Sequence, residues 1–165
     1  MEIGSRIELS DWEWDVAKAA GSRRYKSNVD AGIPSIKVDE GRTDLEINVA
    51  GCASEIAFCR GFNVYCDLVQ EARRSMDDDG DAVVRGMTID VKSTHHKMGK
   101  LIVSSWKNPV DLYALMVGYE RNWEFKGVIG GGAMIVPERL KELVPGGAKC
   151  YQARQSELKP LEEYA

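Results

Sequence analysis

The segment TIDVKST, residues 88–94, constrains the fold more than any other stretch of this sequence. In an extended strand, side chains two positions apart lie on the same face of the sheet. Ile89 and Val91 therefore share one face, which the fold has to bury. Asp90 and Lys92 share the opposite face. A strand that carries a carboxylate and an amine side by side indicates a site as well as a sheet.

The composition is that of an ordinary globular protein, with 165 residues of which 44% are hydrophobic and 29% are charged. This length favours one domain with a substantial core. The sequence contains no uncharged apolar run of about 18 residues, so we expect no transmembrane helix. The N-terminal residues are too acidic and polar for a signal peptide. We therefore expect a cytoplasmic protein, in a bacterium or a phage-infected host cell.

The four cysteines do not form a recognisable metal-binding motif. Cys52, Cys59 and Cys66 are seven residues apart, which is the spacing of one helix face, and Cys150 is distant. No CxxC pair is present, so a zinc site is not expected. We interpret the cysteines as buried free thiols.

The charged residues are distributed unevenly along the chain. The net charge is −4, which argues mildly against a nucleic-acid-binding protein. However, residues 85–126 hold 7 basic and 4 acidic side chains, whereas residues 1–84 hold 10 and 17. A local basic surface can bind phosphates despite acidic flanks. Ordinary scatter of charge over a solvated surface explains the same counts equally well.

Two capping boxes predict the starts of two helices. Ser10 with Glu13, and Thr43 with Glu46, have the required spacing. The first helix is predicted over 11–20, with Gly21 closing it and a loop over 21–43. The second is predicted over 44–62, with Glu55 at the border of its apolar face. Considered alone, that glutamate is expected to reach solvent.

The remainder of the chain predicts strands joined by short turns. The strands are expected at 82–87, 88–94, 101–106, 111–119 and 125–136, with a bend at Gly86. A short helix is predicted at 137–144, followed by a last strand or helix. The glycines at 130–132 lack the lysine and helix of a phosphate-binding loop and indicate a bulge or turn. Short turns favour antiparallel neighbours, so the predicted fold class is α+β.

The predicted hairpin would bring two aspartates together. Asp81 stands at the entry of the first strand, and the bend at Gly86 would place it near Asp90. Two neighbouring carboxylates repel each other unless a cation joins them, and Mg²⁺ prefers such oxygen ligands. Lys92 would help to steer or activate a water molecule, and Glu55 could supply a third carboxylate. The alternative interpretation is a solvated acidic turn with one salt bridge at Asp90.

This ordered set of residues resembles the PD-(D/E)xK nuclease superfamily, which includes restriction endonucleases, Holliday-junction resolvases and many phage nucleases. The resemblance covers about residues 44–120, from the helix with Glu55 in GCASEIAFCRGF through Asp81 to Asp90-x-Lys92 in IDVKST. The D-x-K triplet alone is common by chance, whereas the ordered set is more specific. Asp77, Asp78 and Asp79 compete with Asp81 for the first position.

The resemblance implies a restriction-endonuclease-like core, a mostly antiparallel mixed β-sheet flanked by helices. It implies that Asp81 and Asp90 bind Mg²⁺ or Mn²⁺, with the backbone carbonyl of Val91 as a further ligand. Lys92 would position or activate the attacking water, and Glu55 would support the metal or that water. The implied activity is hydrolysis of DNA phosphodiester bonds, most simply by an endonuclease.

Two features depart from the family pattern. Gly80 precedes Asp81 where many members have proline, and the link KNPV after the third strand is too short for the helix often found there. A non-catalytic nucleic-acid-binding or assembly module on the same fold therefore remains the alternative function.

Four residues after the motif are candidate contacts to the DNA backbone: His96, Lys97, Lys100 and Lys107. A turn histidine without a role is the simpler interpretation of His96. We expect one domain over 1–165, with an N-terminal extension 1–43, a core 44–136 and a C-terminal extension 137–165. A junction-resolving member would act as a homodimer, and no membrane partner is expected.

Overall fold

Two β-sheets and three helices make up the part of the chain that the computed structural model describes, residues 1–32, 41–68, 80–105 and 110–164. The strands are β1 (Arg6–Glu8), β2 (Ala82–Val84), β3 (Met87–Thr94), β4 (Leu101–Ser104), β5 (Leu112–Tyr119), β6 (Asn122–Gly130), β7 (Leu140–Glu142) and β8 (Lys149–Ala153). The helices are α1 (Asp11–Asp30), α2 (Asp44–Phe62) and α3 (Gly131–Met134), and three 3-10 turns follow at Pro137–Arg139, Gln155–Glu157 and Leu161–Tyr164. The predicted α+β class is confirmed.

Both predicted capping boxes are present and start the two long helices. The Ser10 and Thr43 side chains accept hydrogen bonds from the backbone N–H groups of Glu13 and Glu46, whose carboxylates accept in return. Helix α2 has the predicted bounds and ends at Asn63, which adopts a left-handed conformation with φ 54°. The prediction for this helix is therefore confirmed at both ends.

The predicted end of α1 is wrong, because Gly21 lies within the helix. A Cβ atom at Gly21 would lie 2.5 Å from the Cα atom of Val49, so glycine is what allows α1 and α2 to approach each other closely. The inner face of α1 is formed by Ala17, Gly21, Arg24 and Asn28, at alternating spacings of four and three. Trp12, in the first turn of α1, is 73% exposed. Residues 33–40 of the predicted loop lie outside the described part of the chain.

The predicted hairpin around Gly86 is present. Strands β2 and β3 pair antiparallel, with Ala82 opposite Ile89. Arg85 and Gly86 form the turn, both with positive φ, at 53° and 81°. Two successive positive φ angles match the right-handed twist of the flanking strands, and this geometry is common in two-residue hairpins. The hairpin carries Asp81 to the edge of β3.

The main sheet has the strand order β1-β6-β5-β3-β2. Strands β3 and β5 are parallel, with Asp90 opposite Tyr113, and the other pairs are antiparallel. The sheet is therefore mixed and mostly antiparallel, as expected, and the short turns do not make β3 and β5 antiparallel. Strand β4 leaves the main sheet, so the chain re-enters beside β3 in the same direction as β3.

Strand β4 belongs to a second, antiparallel sheet with the order β4-β8-β7. The predicted helix at 137–144 is wrong beyond its first turn, because Leu140–Glu142 form β7 and pair with β8. The predicted strand at 125–136 ends at Gly130, where α3 begins. Trp106, Lys107 and most of the short link after β4 lie in a range that the structure does not describe.

Two apolar cores lie on opposite faces of the main sheet. Helices α1 and α2 cover one face, where Phe58 and Phe125 are fully buried. Strands β4 and β8 cover the other, where Leu101, Val103 and Leu115 are fully buried. Strand β3 contributes Ile89 and Val91 to the first core, as its alternation predicts. All four cysteines are free thiols. In the described ranges, no helix combines the length and the apolarity that membrane crossing requires.

The close contact at Gly21 yields a stability prediction. Replacing a helical glycine by alanine normally stabilises a protein by about 0.5–1 kcal/mol. At Gly21 the new methyl group would meet the backbone of Val49, and such overpacking costs about 1–3 kcal/mol. We expect Gly21→Ala to lower the free energy of unfolding in urea titrations.

Gly51 in α2 is the matched control. A Cβ atom there would meet Arg24 Nη1 at 3.5 Å, an ordinary contact. Gly51→Ala should therefore leave stability unchanged or raise it. Equal effects of the two substitutions would contradict the proposed role of Gly21.

Candidate functional site

Asp81 is fixed against the edge of β3 by two hydrogen bonds. Its backbone N–H donates to the carbonyl of Ile89 over 2.8 Å, and its Oδ2 accepts from the backbone N–H of Val91 over 2.7 Å. Gly80 makes this approach possible, because it has φ 77° and a Cβ atom there would lie 2.8 Å from the Ile89 carbonyl oxygen. A proline, as found in many PD-(D/E)xK nucleases, could not adopt this φ.

Asp90 and Lys92 form an ion pair along the same face of β3. Lys92 Nζ lies 2.5 Å from Asp90 Oδ1, and the two side chains are 26% and 3% exposed. The side-chain alternation of a strand places the two groups together, as the sequence predicts. This pair alone would also satisfy the alternative interpretation of a single salt bridge at Asp90.

The structure brings the carboxyl groups of Asp81 and Asp90 together. Burial raises the pKa of Asp90 to about 7, with a further increase from the charge of Asp81, against the opposing effect of Lys92. The Asp81 carboxylate accepts from the N–H of Val91, the residue next to Asp90, so the two acids are close neighbours at this edge. The predicted acidic turn is therefore oriented towards β3 at Asp81. Asp77, Asp78 and Asp79 lie outside the described residues.

Lys92 remains a cation in this environment. Burial lowers the pKa of Lys92, but Asp90 and Asp81 more than offset that effect, and the pKa lies above its ordinary value. A protonated amine donates hydrogen bonds and cannot accept a proton. The geometry therefore suits Lys92 to orient a water or a phosphate oxygen rather than to act as a general base.

Glu55 is buried and bound by an arginine that the sequence analysis did not select. Arg24 donates from Nη1 to Oε1 over 2.7 Å and from Nη2 to Oε2 over 2.8 Å. Burial raises the pKa of Glu55 to about 7, with a further contribution from Asp81, while Arg24 opposes the shift. The expectation that Glu55 considered alone reaches solvent is wrong, since it is 4% exposed. Both carboxylate oxygens of Glu55 therefore accept a hydrogen bond from Arg24.

Arg24 was missed because the predicted α1 ended too early. Arg24 lies three residues after Gly21 and seven after Ala17, on the inner face of a continued helix. An arginine on a face that otherwise packs against α2 needs a buried anion as its partner. Treating Gly21 as a point of close helix packing would have placed Arg24 opposite α2 and its only buried acid.

A cleft of about 760 Å³ opens beside these residues, between α2, the end of β3 and the second sheet. Its charged lining consists mainly of cations. In the described part of the chain, the charged residues and histidines of this lining are Arg24, Arg42, Lys92 and Lys100, with His95, His96 and one acid, Glu55. A basic cleft of this kind concentrates anions such as phosphates.

The candidate DNA contacts occupy different places. His96 lines the cleft and stacks on His95 with ring centroids 3.9 Å apart. His95 Nδ1 lies 3.3 Å from Nη1 of Arg42, a second cleft arginine that we did not predict. Lys100 also lines the cleft and donates to Gln152 Oε1 over 3.0 Å. Lys97 is exposed in the turn after β3, and Lys107 lies outside the described residues.

The oxygen atoms at this edge fit a small divalent cation. Val91 donates its N–H to Asp81, and in a strand the carbonyl of a residue points to the same side as its N–H. The Asp81 carboxylate and the Val91 carbonyl thus lie on the same side of β3, and Asp90 is the residue before Val91. Mg²⁺ commonly binds through one or two carboxylates and keeps several waters. Within the described ranges, no group of three or more His, Cys, Asp or Glu side chains is arranged to hold a metal, which agrees with Glu55 being bound by Arg24.

The chain belongs to a protein family of unknown function, DUF5843, whose model matches residues 1–148. The match covers α1, α2 and the whole main sheet, and it includes Glu55, Asp81 and Asp90, which together form the acid cluster. No curated protein and no solved structure matches the chain.

The buried acids predict a pH dependence of stability without added metal. Glu55 and Asp90 have folded pKa values of about 7, above their ordinary values of 4.5 and 3.8. At pH values between the ordinary and the folded pKa, these two acids bind more protons in the folded state than in the unfolded state. The free energy of unfolding therefore falls as pH rises through this range. We expect the free energy of unfolding in EDTA to be lower at pH 8 than at pH 5, on the order of 1–3 kcal/mol.

The double variant Arg24→Gln/Glu55→Gln tests the contribution of Glu55. Replacing both partners of a buried pair by neutral groups of similar size is often tolerated. The variant should show a smaller loss of stability between the same two pH values in urea titrations. A wild-type protein that becomes more stable over this interval would contradict the assignment.

Proposed function

We propose that this protein is a divalent-metal-dependent nuclease that hydrolyses phosphodiester bonds in DNA, on a restriction-endonuclease-like core. The observation that carries the proposal is the clustering of Asp81, Asp90 and Lys92 at one edge of β3. The hydrogen bond from Val91 to Asp81 supports it, because it orients a carboxylate towards the D-x-K segment. The helix–strand–strand order of the resemblance is present as α2, β2 and β3.

Each residue of the cluster has a role in the proposed reaction. Asp81, Asp90 and the Val91 carbonyl would hold Mg²⁺ or Mn²⁺. When bound, the ion would supply positive charge for the scissile phosphate and acidify a water ligand. Lys92 would donate a hydrogen bond to the attacking water or to a phosphate oxygen. Glu55 would keep Arg24 at the cleft wall, where the guanidinium faces the substrate.

The basic cleft is consistent with a nucleic-acid substrate. Arg42, Lys100 and His96 line it next to Lys92, and contacts of such groups with phosphates fix the position of a nucleic acid without reading its sequence. The proposed nuclease cuts DNA with weak sequence specificity or selects it by structure. Cutting of a DNA junction would require a homodimer.

One observation favours a second candidate, a nucleic-acid-binding module without catalysis. The protein already neutralises two of its buried acids, Glu55 through Arg24 and Asp90 through Lys92. If these ion pairs persist, the acids would not bind a metal ion. The basic cleft would still bind phosphates.

Two substitutions separate these candidates. Asp90→Asn should abolish binding of Mn²⁺ in titration calorimetry and reduce cleavage of DNA by at least about 100-fold. Lys92→Ala should retain metal binding and reduce cleavage by about 100- to 1,000-fold, because the amine acts on the water or phosphate. Cleavage is measured on labelled duplex, single-stranded and branched DNA with Mg²⁺ or Mn²⁺.

The controls are Asp15→Asn and Lys18→Ala, a matched acid and lysine on the exposed surface of α1, with side chains 71% and 50% exposed. Both should cut as the wild type does, and circular dichroism should show all four variants folded. Full activity of folded Asp90→Asn or Lys92→Ala contradicts the catalytic assignment. DNA binding by the wild type without cutting under any metal condition supports the second candidate.

A further inference from the structure

A second basic groove adjoins the cleft, in a region to which the sequence analysis assigned no function. Its volume is about 500 Å³, and it lies along β7, β8 and the neighbouring 3-10 turns. Lys141 and Arg154 line it with exposed side chains, beside Arg139. Lys100 and Gln152 line both the groove and the cleft, so the two cavities share a wall.

The shared wall is held by hydrogen bonds. Gln152 accepts a bond from Lys100 Nζ over 3.0 Å through its side-chain oxygen. Its amide nitrogen contacts the carbonyls of Lys141 and Glu142 at 3.3 and 3.2 Å. One side chain therefore links the lysine at the cleft to the strand that carries Lys141. The spacing between the cleft and the groove is set by the second sheet rather than by a loop.

Arg139 is fixed inside the groove. Its Nε donates to the Ala133 carbonyl over 2.8 Å, and its Nη1 lies 2.8 Å from Glu157 Oε1. These bonds neutralise Arg139 in part and make it a rigid component of the wall. Lys141 and Arg154 are therefore the cations best placed to bind a ligand in the groove.

The charge of the combined lining is opposite to that of the chain. Among the residues that the structure describes, seven arginine and lysine side chains line the two cavities, against three glutamates. The excess of four positive charges contrasts with a net charge of −4 for the whole protein. Including Asp81 and Asp90 behind Lys92 still leaves a positive excess. A continuous basic track on an acidic protein is suited to a polyanion that runs through both cavities.

We propose that the groove binds the phosphate backbone of the nucleic acid whose scissile phosphate lies in the cleft. Lys141 and Arg154 bind phosphates on one side of the cutting site, and Lys100 binds the phosphate between them and that site. This inference rests on the proposed function and names a substrate-binding track for it. Binding along the track depends on charge and backbone shape and is independent of base sequence.

The test measures how the affinity for DNA depends on salt. Fluorescence anisotropy follows binding of a labelled duplex, longer than both cavities together, to wild type and to Lys141→Ala/Arg154→Ala. EDTA prevents cutting during the measurement. Each lost phosphate contact lowers the slope of log affinity against log salt by about 0.9. The double variant should therefore lose about 2 in slope, and its defect should be about tenfold larger at about 50 mM salt than at about 200 mM.

The control Arg6→Ala/Lys18→Ala removes the same charge from exposed positions outside the track, with side chains 85% and 50% exposed. It should keep the wild-type slope, and Lys141→Arg/Arg154→Lys should keep it as well. Equal slopes for wild type and Lys141→Ala/Arg154→Ala, with salt-dependent binding intact, overturn the track and leave the nuclease proposal standing. If Arg6→Ala/Lys18→Ala lowers the salt slope as much as Lys141→Ala/Arg154→Ala does, the proposed track is also contradicted. A wild type that binds no DNA overturns both proposals.

Discussion

The hydrogen bond from the Val91 backbone to the Asp81 carboxylate is the interaction on which the candidate site depends. It occurs just before β2 begins, where no strand of the described residues pairs with this edge of β3 beyond Ile89. A carboxylate there caps the edge in place of a neighbouring strand. The same hydrogen bond holds Asp81 next to Asp90. The backbone of β3 thus keeps two carboxylates close together although their negative charges repel each other. Gly80 is a condition for this arrangement, because a side chain at that position would collide with the Ile89 carbonyl.

Burial gives the acid cluster its chemical character. A charged carboxylate that is removed from water is destabilised unless a cation compensates it. Lys92 compensates the charge of Asp90, and Arg24 compensates that of Glu55. The pKa values of both acids are nevertheless raised. Such a cluster gains stability from any further cation that can reach it. The helix pair contributes directly, since the close approach at Gly21 is what brings Arg24 of α1 onto Glu55 of α2.

Local signals predicted much of this structure, and non-local pairing explains the errors. The two capping boxes, the bounds of α2 and the alternation of β3 depend on residues close in sequence, and all are confirmed. The turn at Gly86 follows from backbone conformation in the same way. By contrast, a glycine at position 21 predicts a helix end as long as its contact with Val49 of α2 is unknown. Partners far away in the chain decide three other features. These are the departure of β4 into a second sheet, the parallel pairing of β3 with β5, and the formation of β7. Arg24 and Arg42 were missed for the same reason.

The central claim is that Asp81 and Asp90 face one cation-binding position at the edge of β3. Anomalous diffraction from crystals grown with Mn²⁺ tests it most directly. We predict a strong peak within bonding distance of both carboxylates and the Val91 carbonyl, with Lys92 adjacent. Carboxylates of Asp81 and Asp90 that point apart, too distant for one ion to touch both, would contradict it.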